Sequence, residues 1–278
     1  MILTSRNKQL SLATPQVMGI LNVTPDSFSD GGKFNSIDMA LAQADKMIDA
    51  GVTIIDIGGE STRPGAKEVL LEEELKRTIP VIKAIREKNQ DVWISIDTSK
   101  AEVMEQAVNA GADIINDVRA LTEAGALKVA AKLNVPICLM HMKGQPRNMQ
   151  DAPEYCDLLQ EVEEFLVERV EACDKVGINR ENLILDPGFG FGKTIEHNYE
   201  LLKRFDELHK FEMPLLAGMS RKSMIFKVLD KKPEHSVAGS LACATIAAQK
   251  GAHIIRVHDF EETMDVVKVV NMINKIIS

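Results

Sequence analysis

Three short stretches of this chain repeat one pattern: Gly51-Val-Thr-Ile-Ile-Asp56, Gly111-Ala-Asp-Ile-Ile-Asn116 and Gly251-Ala-His-Ile-Ile-Arg256. Each puts a glycine where a helix ends and an isoleucine pair where a buried strand begins. Period-two alternation then gives Asp56, Asn116 and Arg256 one orientation on their strands. A helix-to-strand joint that recurs along one chain calls for alternating helices and parallel strands. Strands are predicted at 16–22, 53–57, 92–97, 113–117, 136–141, 183–186, 214–218 and 253–257. Helices are predicted at 36–50, 72–88, 100–110, 123–133 and 154–176. One ending near 209, helical segments up to 250 and a last helix at 261–277 complete the set. Ser36 is placed as the N-cap of the first helix, and residues 1–15 as a short polar lead-in stopped by Pro15. Eight strand–helix alternations point to an α/β fold, a closed (β/α)8 TIM barrel rather than an open doubly wound sheet. Barrels of about 250 residues are single domains, so one domain over 1–278 is expected.

The apolar 45% of the chain is Ile, Leu, Val, Ala and Met, with only 4% aromatic residues, which suits parallel strands buried on both faces. A net charge of −8 excludes a nucleic-acid partner held by phosphate neutralisation. The four cysteines are scattered, and Cys138 and Cys243 lie in apolar runs where buried free thiols are expected. Nothing resembles a secretion signal, and no apolar run approaches the ~18 residues of a membrane span. A soluble, reduced, cytoplasmic protein is the expectation.

Barrel chemistry gathers at the carboxyl ends of the strands. Those ends read Asn22, Asp56, Asp97, Asn116 with Asp117, His141, Asp186, Lys222 just past the seventh strand, and Arg256 with His258. The loops add Thr62, Arg63, Ser220, Arg221 and Ser223. Any one of these is an ordinary capping or turn residue, but nearly every strand ends in one. Arg63, Lys222, Arg256 and His258 form a cationic group within an acidic chain, which points to an anionic substrate group such as phosphate. Asn22 is a neutral oxygen donor suited to a Mg²⁺ kept mostly by phosphate and water. Asp97 and Asp186 call for a heterocycle with several N–H donors, or for a developing cation. Phe189 and Phe191 either stack on such a ring or pack. The run Gly188-Phe-Gly-Phe-Gly-Lys193-Thr194 fails both the P-loop and the G-x-G-x-x-G spacing, and the six histidines lack zinc-site spacing.

Seven motifs in order, along essentially the whole chain, resemble those of the dihydropteroate synthase family of bacterial folate biosynthesis. They are Met18-Gly-Ile-Leu-Asn-Val-Thr-Pro-Asp-Ser-Phe-Ser-Asp-Gly-Gly32, Gly58-Gly-Glu-Ser-Thr-Arg-Pro-Gly65, Ile96-Asp-Thr98, Ile115-Asn-Asp117, Asp186-Pro-Gly-Phe-Gly-Phe-Gly-Lys193, Gly218-Met-Ser-Arg-Lys-Ser223 and Ile255-Arg-Val-His-Asp259. The resemblance implies a transferase condensing 6-hydroxymethyl-7,8-dihydropterin diphosphate with 4-aminobenzoate. It implies that Asn22 ligates Mg²⁺, and that Thr62, Arg256 and His258 hold the diphosphate. Asp97, Asn116, Asp186 and Lys222 would line the pterin pocket, with Phe189 nearby. Arg63, Pro64 and Phe28 would lie on loops closing over aminobenzoate, with Ser223 at its carboxylate. Asp97, Lys222, Arg256 and His258 are the catalytic candidates. Sulfonamides would compete for the aminobenzoate site, and the protein would be a homodimer. The competing readings are a methyltransferase-type pterin barrel, a non-catalytic pterin carrier, and a Schiff-base aldolase. The last expects a lysine inside a strand, which is absent here.

Overall fold

The computed structural model describes residues 1–24, 33–61, 68–144 and 153–277. Eight parallel strands form the barrel: β3 (Gln16–Asn22), β4 (Ile54–Gly58), β5 (Trp93–Asp97), β6 (Ile114–Asp117), β7 (Ile137–Met140), β8 (Leu183–Asp186), β9 (Leu216–Ala217) and β10 (Ile254–Val257). Neighbours in sequence pair in parallel from β3 to β8, and β10 joins β3 to β9. The ring closes through a parallel bridge between Leu185 and Leu215, with the Leu185 N–H donating to the Pro214 carbonyl at 2.8 Å. The helices between the strands are α1 (Lys33–Asp49), α2 (Leu71–Lys88), α3 (Ala101–Ala110), α4 (Ala126–Leu133), α5 (Leu158–Lys175), α6 (Ile195–Lys203), α7 (Ser223–Phe226) and α8 (Val237–Gln249). The chain ends in α9 (Phe260–Ile277).

Alternation along each strand separates two cores. The outward residues, among them Val17, Ile55, Ile94, Ile115, Leu139, Leu185 and Ile255, pack against the helices. The inward residues Met18, Ile54, Trp93, Ile114, Cys138, Ile184, Leu216 and Ile254 fill the bottom of the barrel. Two residues further along the same strands the inward positions turn polar: Asp56, Ser95, Asn116, Asp186 and Arg256. One end of the barrel is thus an apolar plug and the other a polar mouth.

Several boundaries differ from expectation. Residues 1–15 are no simple lead-in. They hold an antiparallel pair, β1 (Ile2–Ser5) with β2 (Lys8–Ser11), whose Leu3 and Leu10, with Leu12, seal the bottom layer. Their alternation is too short to stand out in a polar stretch. Helix α1 starts at Lys33, so Ser36 lies inside it and is not the N-cap. Helix α5 starts at Leu158, because Asp157 accepts the Gln160 N–H at 3.0 Å and caps it there. The helix after β8 stops at Lys203, and a 3₁₀ segment, Phe205–Phe211, continues towards β9. All four cysteines are free, with Cys138, Cys173 and Cys243 buried and Cys156 exposed.

Candidate active site

The three polar residues of the repeat meet at the mouth. Arg256 Nε donates to Asp56 Oδ2 at 2.6 Å, and Asn116 Nδ2 donates to the same oxygen at 3.2 Å. The other arm of Arg256, Nη2, donates to Asp97 Oδ2 at 2.7 Å. Asp97 reaches this layer because it lies two residues beyond the inward Ser95 on β5. One guanidinium therefore serves two buried carboxylates, and the cluster is negative once Asp97 ionises. Burial pushes the Asp97 carboxyl up and Asp56 adds to the shift, against the lowering by Arg256. Arg256 is thus no free cation, which corrects the all-cationic cluster expected from the sequence.

On the opposite wall Asp186 ends β8, 6% exposed, with Oδ1 accepting the Gly188 N–H at 2.8 Å. Burial raises its carboxyl, while Lys222 and the Gly188 N–H pull it back. Gly188 has φ +72°, and a Cβ there would lie 1.8 Å from the His141 carbonyl oxygen, so only glycine makes this turn. Lys222, just before α7, donates from Nζ to the Phe189 carbonyl at 2.6 Å and lies 4.6 Å over the Phe191 ring. Burial lowers Lys222 to about 8, and Asp186 resists the shift. Phe191 packs with Val118, Met140 and Met142 into a small apolar patch. A flat ring held by Asp186, Asn116 and Lys222 would find apolar contact on that patch.

The remaining candidates separate. The Phe189 ring is fully buried and stacks on Phe205, with centroids 6.1 Å apart, so Phe189 serves the site by its carbonyl and not its ring. His258 packs Nδ1 3.2 Å from Ser220 Oγ, which also accepts the His258 N–H at 3.1 Å. Arg221 turns away into an ion pair with Asp259. Asp117 points opposite to Asn116, as period two requires, and accepts from Ser99 and from the N–H groups of Arg119 (2.8 Å) and Leu121 (2.7 Å). His141 faces the buried Lys193, whose Nζ lies 2.8 Å from its Nδ1. Asn22 ends β3, and its Oδ1 lies 3.5 Å from where a Cβ on Gly58 would sit, with Asp97 beside it. Ser223 is the first residue of α7. Phe28, Thr62, Arg63 and Pro64 lie outside the described residues. Sequence reasoning missed a further network beside the mouth. Lys100 Nζ bridges Glu60 (2.5 Å) and the buried Glu74 (2.6 Å), which also accepts from Thr98 at 2.5 Å. Nothing local in the sequence signals it, because the partners come from different βα units.

Comparison with known proteins agrees with this geometry. Residues 18–258 match the family described as "Pterin binding enzyme". The chain is 57% identical to dihydropteroate synthase of Escherichia coli (strain K12), over 97% of this chain and 95% of that one. It superposes on a Yersinia pestis dihydropteroate synthase solved as a sulfonamide drug complex with a TM-score of 0.95 and 55% identity, covering 99% of this chain and all of that one. Against 7,8-dihydropteroate synthase from Vibrio fischeri ES114 the TM-score is 0.89 and the identity 65%, over 99% of this chain and 98% of that one. A barrel whose mouth joins strand-end carboxylates, an amide, a lysine and an arginine, and whose sequence runs with these enzymes almost end to end, belongs to the dihydropteroate synthase family of pterin-binding enzymes.

Proposed function

We propose that the chain, acting as one pterin-binding barrel domain, condenses 6-hydroxymethyl-7,8-dihydropterin diphosphate with 4-aminobenzoate. The methylene C–O bond breaks with its electron pair leaving on diphosphate, the amine lone pair forms the C–N bond, and the amine loses a proton. The observation that carries this reading is the convergence of Asp97, Asn116, Asp186, Lys222 and Arg256 on one barrel mouth, with Asp97 bonded to Arg256 and Asn116 linked to it through Asp56. Asp186 accepts the 2-amino and ring N–H groups of the pterin, and Lys222 donates to the ring acceptors. Asp97 faces the methylene, where its negative charge stabilises a carbocation-like transition state. Arg256 and His258, with Thr62, take the diphosphate. Phe28, Arg63 and Pro64 cover the aminobenzoate, and Ser223 meets its carboxylate.

Asn22 is the residue that would hold Mg²⁺. Among the described residues no group of three His, Cys, Asp or Glu side chains could hold a metal, and Asp56 and Asp97 are already engaged by Arg256. One neutral oxygen fits an ion whose other ligands are diphosphate oxygens and water. When bound, it neutralises the leaving group. A dissociative route suits an arylamine nucleophile of low basicity, provided the site positions it.

The outer face of α9 exposes Val269, Met272, Ile273 and Ile276, and the neighbouring α8 exposes Ile246, whereas Val267 and Val270 pack on the barrel. That exposed stripe fits a second copy in a homodimer. No helix among the described residues is long and apolar enough to cross a membrane. The free thiols suit a reducing compartment, the cytoplasm.

The test is diphosphate release from the pterin diphosphate, with and without 4-aminobenzoate and Mg²⁺. Release that needs both substrates and the ion, and that a sulfonamide inhibits competitively against 4-aminobenzoate, is the expected result. Tight pterin binding without release would overturn the reading in favour of a carrier. Methyl transfer from a methylated pterin would overturn it in favour of a methyltransferase.

A further inference from the structure

Two buried groups at the mouth have no part in this chemistry. Lys193 is 2% exposed and His141 4% exposed. Lys193 Nζ lies 2.8 Å from His141 Nδ1 and donates to the carbonyls of Gly188 (3.0 Å) and Phe191 (3.2 Å). Its partners are an imidazole and two carbonyls, not a carboxylate. Burial lowers the lysine to about 7 and the imidazole to about 2. The three contacts persist in either form of the lysine. The ammonium donates to all three, and the neutral amine donates to both carbonyls and accepts from an Nδ1–H.

The turn held in this way touches both groups assigned to ring recognition. The Gly188 N–H donates to Asp186 Oδ1, while its carbonyl is taken by Lys193. The Phe189 carbonyl receives Lys222 Nζ, and the Phe191 ring lies beneath that amine. Gly188, Gly190 and Gly192 have φ of +72°, +80° and +63°, a conformation that no strand or helix ladder supports. Besides Lys193, Asn198 Oδ1 accepts the Gly190 N–H (2.6 Å), Tyr155 donates its hydroxyl to the Gly192 carbonyl (2.7 Å) and the Phe191 N–H donates to the Gly188 carbonyl (3.2 Å), so Lys193 is the one of these holders that grips the turn at two carbonyls.

We propose that Lys193 is a positioning residue: seated on His141, it fixes the 188–192 turn and through it sets the aim of Lys222 in the ring pocket. The proposal rests on the reading of Asp186 and Lys222 as the pterin-recognition pair.

The test measures pterin diphosphate affinity by calorimetry, without 4-aminobenzoate, for the parent enzyme, Lys193→Met, Lys222→Ala and the double variant, with steady-state KM for each substrate. Lys193→Met is expected to weaken pterin diphosphate binding roughly tenfold or more, the effect of losing a well-aimed charge-assisted hydrogen bond. The KM for 4-aminobenzoate stays near the parent value, and the effect largely vanishes when Lys222 is already absent. Parental affinity in Lys193→Met, or the same fold-loss with and without Lys222, would overturn the proposal and leave Lys193 a core residue. If Lys222→Ala itself binds like the parent, the ring-pocket reading falls first and the proposal with it. Should Lys193→Met fail to fold, His141→Leu removes one wall of the seat and is expected to weaken binding in the same direction, again only when Lys222 is present. Unchanged affinity there would overturn the proposal.

Discussion

Replacing Asp97 by Asn separates binding from chemistry. The amide keeps an oxygen that can accept from Arg256 Nη2, now 2.7 Å from Asp97, and Arg256 keeps its bond to Asp56. Burial raises the Asp97 carboxyl to about 7, so above that pH the mouth should hold its shape while losing one negative charge. A unit charge ~5 Å from a developing methylene cation, at an effective dielectric of ~20, contributes about 3 kcal/mol. That energy is realised only as the C–O bond breaks, so kcat should fall about 10²-fold. The ground state behaves differently. The diphosphate is anionic, and with Asp97 neutral one arm of Arg256 is less compensated, so the KM for the pterin diphosphate should stay level or fall. The assay is initial-rate diphosphate release over a grid of both substrates at saturating Mg²⁺, with calorimetric pterin affinity alongside. A raised KM with kcat unchanged would refute the reasoning, because it would make Asp97 a contributor of uniform binding.

Further outcomes follow from the same geometry. Lys222 titrates near 8 and donates in its charged form, so ring affinity should weaken as pH rises through about 8, approaching tenfold per unit beyond it. A Lys222→Met variant, measured the same way, should bind weakly at every pH. Gly188→Ala drives a Cβ to 1.8 Å from the His141 carbonyl at a left-handed φ, so it should lower thermal stability and abolish pterin binding together, as read by calorimetry and thermal melts. At the opposite end of the barrel, Asp113 is buried and accepts from Lys8 (2.9 Å), Arg86 (2.6 Å) and the Ile94 N–H (3.0 Å). Asp113→Ala should cost about 3 kcal/mol, a Tm drop of roughly 6–12 °C, with kcat of the remaining folded enzyme unchanged.

The order of the barrel's strands and helices, and the inward direction of its repeated strand residues, were legible in the sequence, because both depend on periodicities within a window of a few residues. The shared orientation of Asp56, Asn116 and Arg256 is such a case, whereas Asp117, grouped with Asn116 at the strand end, turns the other way to Ser99 and the N–H groups of Arg119 and Leu121. What those residues do to one another was not legible. Arg256 reaches Asp97 across 159 positions and Asp56 across 200, and Lys193 reaches His141 across 52. Only closure of the barrel brings them together, and only burial then decides that two carboxylates must share one guanidinium and that a lysine must settle for carbonyls and an imidazole. The same holds for Phe189 and Phe191, identical in chemistry and two residues apart. The left-handed Gly190 between them sends one ring into the outer core and the other beneath Lys222. Local sequence sets which residues stand at the strand ends; the tertiary structure decides which of them are free to meet a substrate, because desolvation and partnering are properties of the closed barrel and not of any short stretch of chain.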